Sequence, residues 1–169
     1  SVTLLDTPGH VDFSAEMERT LQVLDYAILV VSGTSGVQGH THTLWQLLRR
    51  YQIPTFVFVN KMDIDGTDRE ALLRQLRSEL SEGCVDFEGE RAELFEQLAM
   101  ADDDAAEQYL ETGEIPDSDI RRLIARRRVF PCWFGSALKL TGVDDFLRGL
   151  VQYTEEPRRG ADFGARVFK

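Results

Sequence analysis

Thr55-Phe56-Val57-Phe58-Val59 runs directly into Asn60-Lys61-Met62-Asp63, and this stretch decides the fold. Five β-branched or aromatic residues without polar alternation suit a strand buried on both faces, as in a parallel sheet. Such sheets collect ligands at the carboxyl ends of their strands. A polar run placed there is therefore a candidate site. Three more short runs have the same character: residues 2–5 (VTLL), 26–31 (YAILVV) and 129–134 (VFPCWF). Pro131 weakens the last of these, or predicts an edge position, because proline cannot donate to a ladder.

Helical patterns separate the runs. Phe13, Met17, Leu21 and Leu24 recur at three- and four-residue steps, as do Leu44, Leu47, Leu48 and Tyr51. Leu72, Leu73, Leu76 and Leu80 follow, then Val143, Phe146, Leu147, Leu150 and Val151. Strand–helix alternation of this kind predicts right-handed βαβ units in a three-layer α/β domain. Residues 83–128 break the rhythm and are too long for a loop. Leu94, Phe95 and Leu98, then Ile120, Leu123 and Ile124, predict a small helical insertion there. Asp102-Asp103-Asp104 reads as a solvated helix start rather than a metal cluster, and Arg126-Arg127-Arg128 as a solvated helix end. Residues 1–154 are thus expected to form one domain, 155–164 (EEPRRGADFG) a linker, and 165–169 the first strand of another domain.

The 169 residues carry a net charge of −10, which argues against a nucleic-acid-binding surface on this stretch itself. The two cysteines, Cys84 and Cys132, are too few for a disulfide framework and fit free thiols in a reducing cytoplasm. No apolar run approaches the ~20 residues of a membrane helix, so no membrane association is expected. The chain opens inside an apolar run without Met, and is expected to be a fragment.

Three motifs follow predicted strands. In Asp6-Thr7-Pro8-Gly9-His10, an aspartate at a strand end suits a hydrated Mg²⁺ ion. Gly9 lets a backbone N–H approach a phosphate without a side-chain clash. Alone, Asp-x-x-Gly equally describes an ordinary strand-to-helix turn. Asn60-Lys61-Met62-Asp63 is more specific. The Asp63 carboxylate can accept from guanine N1–H and its exocyclic amine together, whereas adenine offers no matching donors. The stem of Lys61 can cover the base, and Asn60 can tie loops together. Gly135-Ser136-Ala137-Leu138 is small enough for the Ala137 N–H to reach the guanine carbonyl, a weak signal by itself. His40 and His42 precede a helix and are expected at the surface.

Order and placement together make the chain resemble a translational GTPase. DTPGHVDF, NKMD and GSALKLTGV are similar to the elongation factor G group, which includes the tetracycline-resistance ribosomal-protection proteins. The resemblance spans essentially the whole chain and is weakest over 83–128. It implies a P-loop-GTPase-type parallel sheet, GTP or GDP with Mg²⁺ as ligands, and a ribosomal partner in the cytoplasm. It also implies Asp6 for Mg²⁺ and Gly9 for the γ-phosphate. Asn60, Lys61 and Asp63 are implied for the base, and Ser136, Ala137 and Leu138 for the base pocket. His10 stands where the family positions the attacking water. Residues 165–169 would begin a β-barrel domain.

One expected part is missing. A phosphate loop requires Gly-x-x-x-x-Gly-Lys-Ser/Thr. Gly33-Thr34-Ser35-Gly36-Val37-Gln38-Gly39-His40-Thr41 has one residue too many between its outer glycines, and His where Lys is required. In the family's sheet the phosphate-loop strand lies between the strands at 2–5 and 26–31. Its absence predicts an incomplete sheet, weak nucleotide binding, and a chain that is marginal, rearranged or paired with a second copy. The competing reading is a non-catalytic interaction module derived from a GTPase. Retention of both DTPGH and NKMD argues against it.

Overall fold

A computed structural model of the chain describes residues 3–7 and 20–155. Their centre is a parallel sheet of four strands: β1 (Ala27–Ser32), β2 (Thr55–Asn60), β3 (Cys84–Asp86) and β4 (Phe130–Phe134), in the order β1-β2-β4-β3. Helix α1 (Gly39–Arg50) joins β1 to β2, and α2 (Arg69–Glu79) joins β2 to β3. Between β3 and β4 lie α3 (Arg91–Ala99), α4 (Asp103–Thr112) and α5 (Asp117–Ala125); α6 (Val143–Tyr153) follows β4.

Alternation along the strands sorts the side chains into two cores. Val57 and Val59 of β2, with Cys132 and Phe134 of β4, pack against Trp45 of α1 and Leu72 and Leu76 of α2. Phe56, Phe58 and Trp133 point the other way, against Phe146 and Tyr153 of α6 and the helices between β3 and β4. The result is three layers, the parallel α/β architecture expected from the sequence. Cys84 and Cys132 are both free and fully buried, and burial first, then the neighbouring Cys84, pushes the Cys132 thiol well above its ordinary pKa.

Four expectations need correction. No strand forms over residues 3–7, and Leu4 is 76% exposed. A strand exists only by pairing, and among the described residues no ladder partner stands beside this run or on the outer side of β1. The segment 83–128 is not purely helical: it begins with β3, which pairs with β4 through Cys84↔Phe130, Val85↔Pro131 and Asp86↔Cys132. Because β3 takes the edge, Pro131 lies in an interior strand. It sits one residue before pairing with β2 begins at Val57↔Cys132, so that ladder asks no donor of it.

Arg127 is the fourth correction. It is not a solvated helix end: φ is +56°, and its guanidinium lies over the rings of Trp45 and Phe130 at 5.2 and 5.0 Å. It donates to the Ile53 carbonyl and to Thr55 Oγ1, and burial pulls its pKa down to about 10. Asp102, by contrast, caps α4 as expected, its side chain accepting from the Ala105 N–H. The proposed linker and following strand, past residue 155, lie outside the described residues.

Candidate nucleotide site

Because all the strand pairs are parallel, the segments after β1, β2 and β4 emerge at one end of the sheet. The segment after β1 is an ordinary connection. Gly33 N–H donates to the Asn60 carbonyl at 2.6 Å, and Thr41 Oγ1 accepts from the Gln38 N–H at 3.2 Å, so this threonine caps α1. His40 and His42 fall in the first turn of α1, not before it. His42 pairs with Glu79 at 2.9 Å, and both ring nitrogens of His40 are buried without a partner.

The segments after β2 and β4 are tied to each other. Asn60 Oδ1 accepts from the Lys61 N–H at 2.8 Å and from the Ala137 N–H at 2.9 Å. Met62 N–H donates to the Gly135 carbonyl at 3.0 Å. Asn60 thus joins the loops, as its chemistry suggested. The Ala137 N–H, expected to point at a base carbonyl, is held by Asn60 instead. Lys61 takes φ +67°, a left-handed conformation that a lysine enters only under constraint. Thr67 Oγ1 donates to the carbonyls of Met62 and Ile64, closing the loop ahead of α2.

Asp63 sits inside this frame. Its pKa is held below the ordinary value, first by a hydrogen bond with Ser136, then by its own backbone N–H and by Lys139, against a desolvation cost. Lys139 Nζ lies 3.3 Å from Asp63 Oδ2. Ser136 is buried, and residues 136–141 fold back through the Ser136 and Thr141 backbone pair. A carboxylate has about four lone-pair sites, and three of them are met here by Ser136, the Asp63 backbone N–H and Lys139, so a two-point contact with a ligand would displace one of these donors. Lys61, Ala137 and Leu138 surround it as exposed positions.

Six of the candidate residues are therefore brought together: Asn60, Lys61, Asp63, Ser136, Ala137 and Leu138. Asp6 is exposed on the irregular segment 3–7. Gly9 and His10 lie outside the described residues. Lys139 was missed, though it directly follows the Gly-Ser-Ala-Leu motif. Arg69, Asp86 and Glu88, which brace the two loops from behind, were also missed. No periodicity or motif links residues so separated in the chain.

Comparison with known proteins bears on the family and the fold. The sequence matches the family described as the elongation factor Tu GTP binding domain over residues 1–156. Among solved structures, a crystal structure of a protein from Thermus thermophilus superposes with a TM-score of 0.77 at 25% identity, over 90% of this chain. The chain spans 30% of that protein's length.

Proposed function

The chain belongs to the elongation factor Tu GTP-binding domain family, and from that premise we propose that the loops after β2 and β4 form the guanine half of a GTP site in a ribosome-dependent translation factor. One observation carries the reading: the Asp63 carboxylate lies 3.3 Å from Lys139 Nζ, while Asn60 locks its loop to Ala137. The donor–acceptor set fits the base. Asp63 accepts from N1–H and the 2-amino group, and Lys61 and Leu138 cover the ring faces.

Asp6 is the residue proposed for Mg²⁺, its exposed carboxylate suiting an ion that keeps much of its water. That ion would shield phosphate charge. Gly9 is proposed at the γ-phosphate, and His10 as the group that positions water for attack, a role of orientation more than proton abstraction. In a factor that also supplies a phosphate loop, these parts would couple GTP hydrolysis to a step on the ribosome in the cytoplasm. The run FPCWFGSALKLTGVDDFL favours a ribosomal-protection protein, of the kind that confers tetracycline resistance, over a translocating factor.

The test is base selectivity. Guanosine should bind the chain and adenosine should not compete, measured by calorimetric titration. Equal binding of the two would remove the base-reading assignment and favour a non-catalytic module.

A further inference from the structure

Behind the base loops, Arg69 opens α2 at the end of the segment that carries Asp63. Its Nε donates to Asp86 Oδ2 at 2.8 Å and its Nη2 to Asp86 Oδ1 at 2.6 Å, a paired fork on one carboxylate. Nη2 also lies 3.1 Å from Glu88 Oε2. That same oxygen accepts the Phe134 N–H at 2.8 Å. The guanidinium lies 4.6 Å from the centre of the Phe134 ring, and Phe134 is the last residue of β4 before Gly135 and Ser136. Asp86 Oδ1 accepts from the Glu88 N–H at 2.9 Å, and the Phe87 N–H donates to the Cys132 carbonyl at 3.1 Å. Three segments meet here: the start of α2, the end of β3, and the end of β4.

We propose that Arg69, with Asp86 and Glu88, is a positioning clamp that sets the spacing of Asp63 against Ser136 and Ala137. On this view residues 84–88 belong to the base-specificity machinery although they touch no base. The proposal rests on the reading of Asp63 as the guanine acceptor. Its physical ground is directional. A two-point hydrogen bond weakens steeply as its angles open, so the relative placement of the two loops decides discrimination. Exposed ion pairs are worth little, but here both carboxylates are largely enclosed, at 16% and 18% exposure, and lie together. Without the arginine they would face each other as like charges, and the end of β4 would lose its brace.

The experiment uses the 169-residue chain, ¹⁵N-labelled, titrated with guanosine and with inosine while the Ala137 amide is followed. Inosine lacks the 2-amino group, so the ratio of the two affinities reports the two-point contact on Asp63. Arg69→Met and Asp86→Asn are each expected to lower that ratio by about threefold or more while the spectrum remains dispersed. Arg69→Lys, which keeps the charge without the fork, should lose discrimination as well. Asp86→Asn keeps the shape of the site and serves if Arg69→Met fails to fold. An unchanged ratio in a folded variant, or equal weakening of both nucleosides, overturns the clamp and leaves the base reading standing. A ratio near one in the unaltered chain overturns both.

Discussion

Asp63 and Glu88 are two carboxylates pushed in opposite directions by their surroundings. Hydrogen bonding from Ser136 leads the forces that keep Asp63 ionised, which suits its proposed role as acceptor of two donors from guanine. Asp63→Asn replaces one acceptor by a donor. It should weaken guanosine binding by about tenfold or more, since hydrogen bonds to a charged acceptor are the stronger kind and an unmatched donor adds its own cost. It should strengthen binding of xanthosine, whose 2-oxo group accepts where guanine donates. Competition titrations check this, and unchanged preference for guanosine would remove Asp63 from its role. Burial dominates at Glu88 and raises its pKa, against the lowering by the Phe134 N–H and Arg69. A raised carboxyl pKa favours the protonated form in the fold. That contribution to stability is complete below the unfolded pKa and disappears as pH rises through the folded one. The stability difference between Glu88→Gln and the unaltered chain should therefore shift in favour of the variant as pH rises above the ordinary glutamate pKa and through the raised one, by urea unfolding. A shift the other way would mean that Arg69 outweighs desolvation. At this scale Asn60 and Asp63 were legible in the sequence because their chemistry is local to one motif. Arg69, Asp86 and Glu88 were not, because only the fold brings them together.

Elements were legible where the chain commits many residues to one environment. β2, with its unbroken apolar run, and α6, with its three- and four-residue spacing, could be read directly. β3 could not: three residues carry no period, and it exists because β4 offers it an edge. The run at 2–5 shows the converse, a strand-like composition that remains irregular over its described residues because composition supplies no partner. Helix α6 also hides a packing constraint that propensity alone misreads. Gly149 lies against Trp133, and a β-carbon there would press into the indole ring. Ala favours a helix interior over Gly by ~1 kcal/mol, but overpacking a filled core costs ~1–3 kcal/mol. The ring is held on its other sides by Phe56, Phe87 and Phe146, so it has little room to yield. Steric crowding should therefore outweigh the gain in helix propensity, and Gly149→Ala should destabilise the chain by about 1–2 kcal/mol in urea unfolding. Stabilisation would show that the indole shifts freely.

For the molecule as a whole, two properties govern what the chain does alone. The first is the outer side of β1, where no strand pairs among the described residues and Val30 is 59% exposed. An edge left unpaired is a template for another chain, and on that ground we propose self-association that rises with concentration. Val30→Lys should reduce it in sedimentation velocity, and an unaltered chain that stays monomeric throughout would rule it out. The second is charge without a phosphate cradle. The sequence contains no Gly-x-x-x-x-Gly-Lys-Ser/Thr, whose backbone donors and lysine would grip phosphates. The loops proposed to read the base sit on a chain of net charge −10. A triphosphate gains no dedicated contacts there and meets a repulsive field. Guanosine should accordingly bind at least as well as GTP, with the gap widest at low ionic strength and closing as the screening length falls to about 10 Å at 0.1 M salt. Titrations with guanosine, GDP and GTP at two salt concentrations decide it. Sub-micromolar GTP affinity, or GTP binding more than about tenfold tighter than guanosine, would require phosphate ligands that this sequence does not reveal.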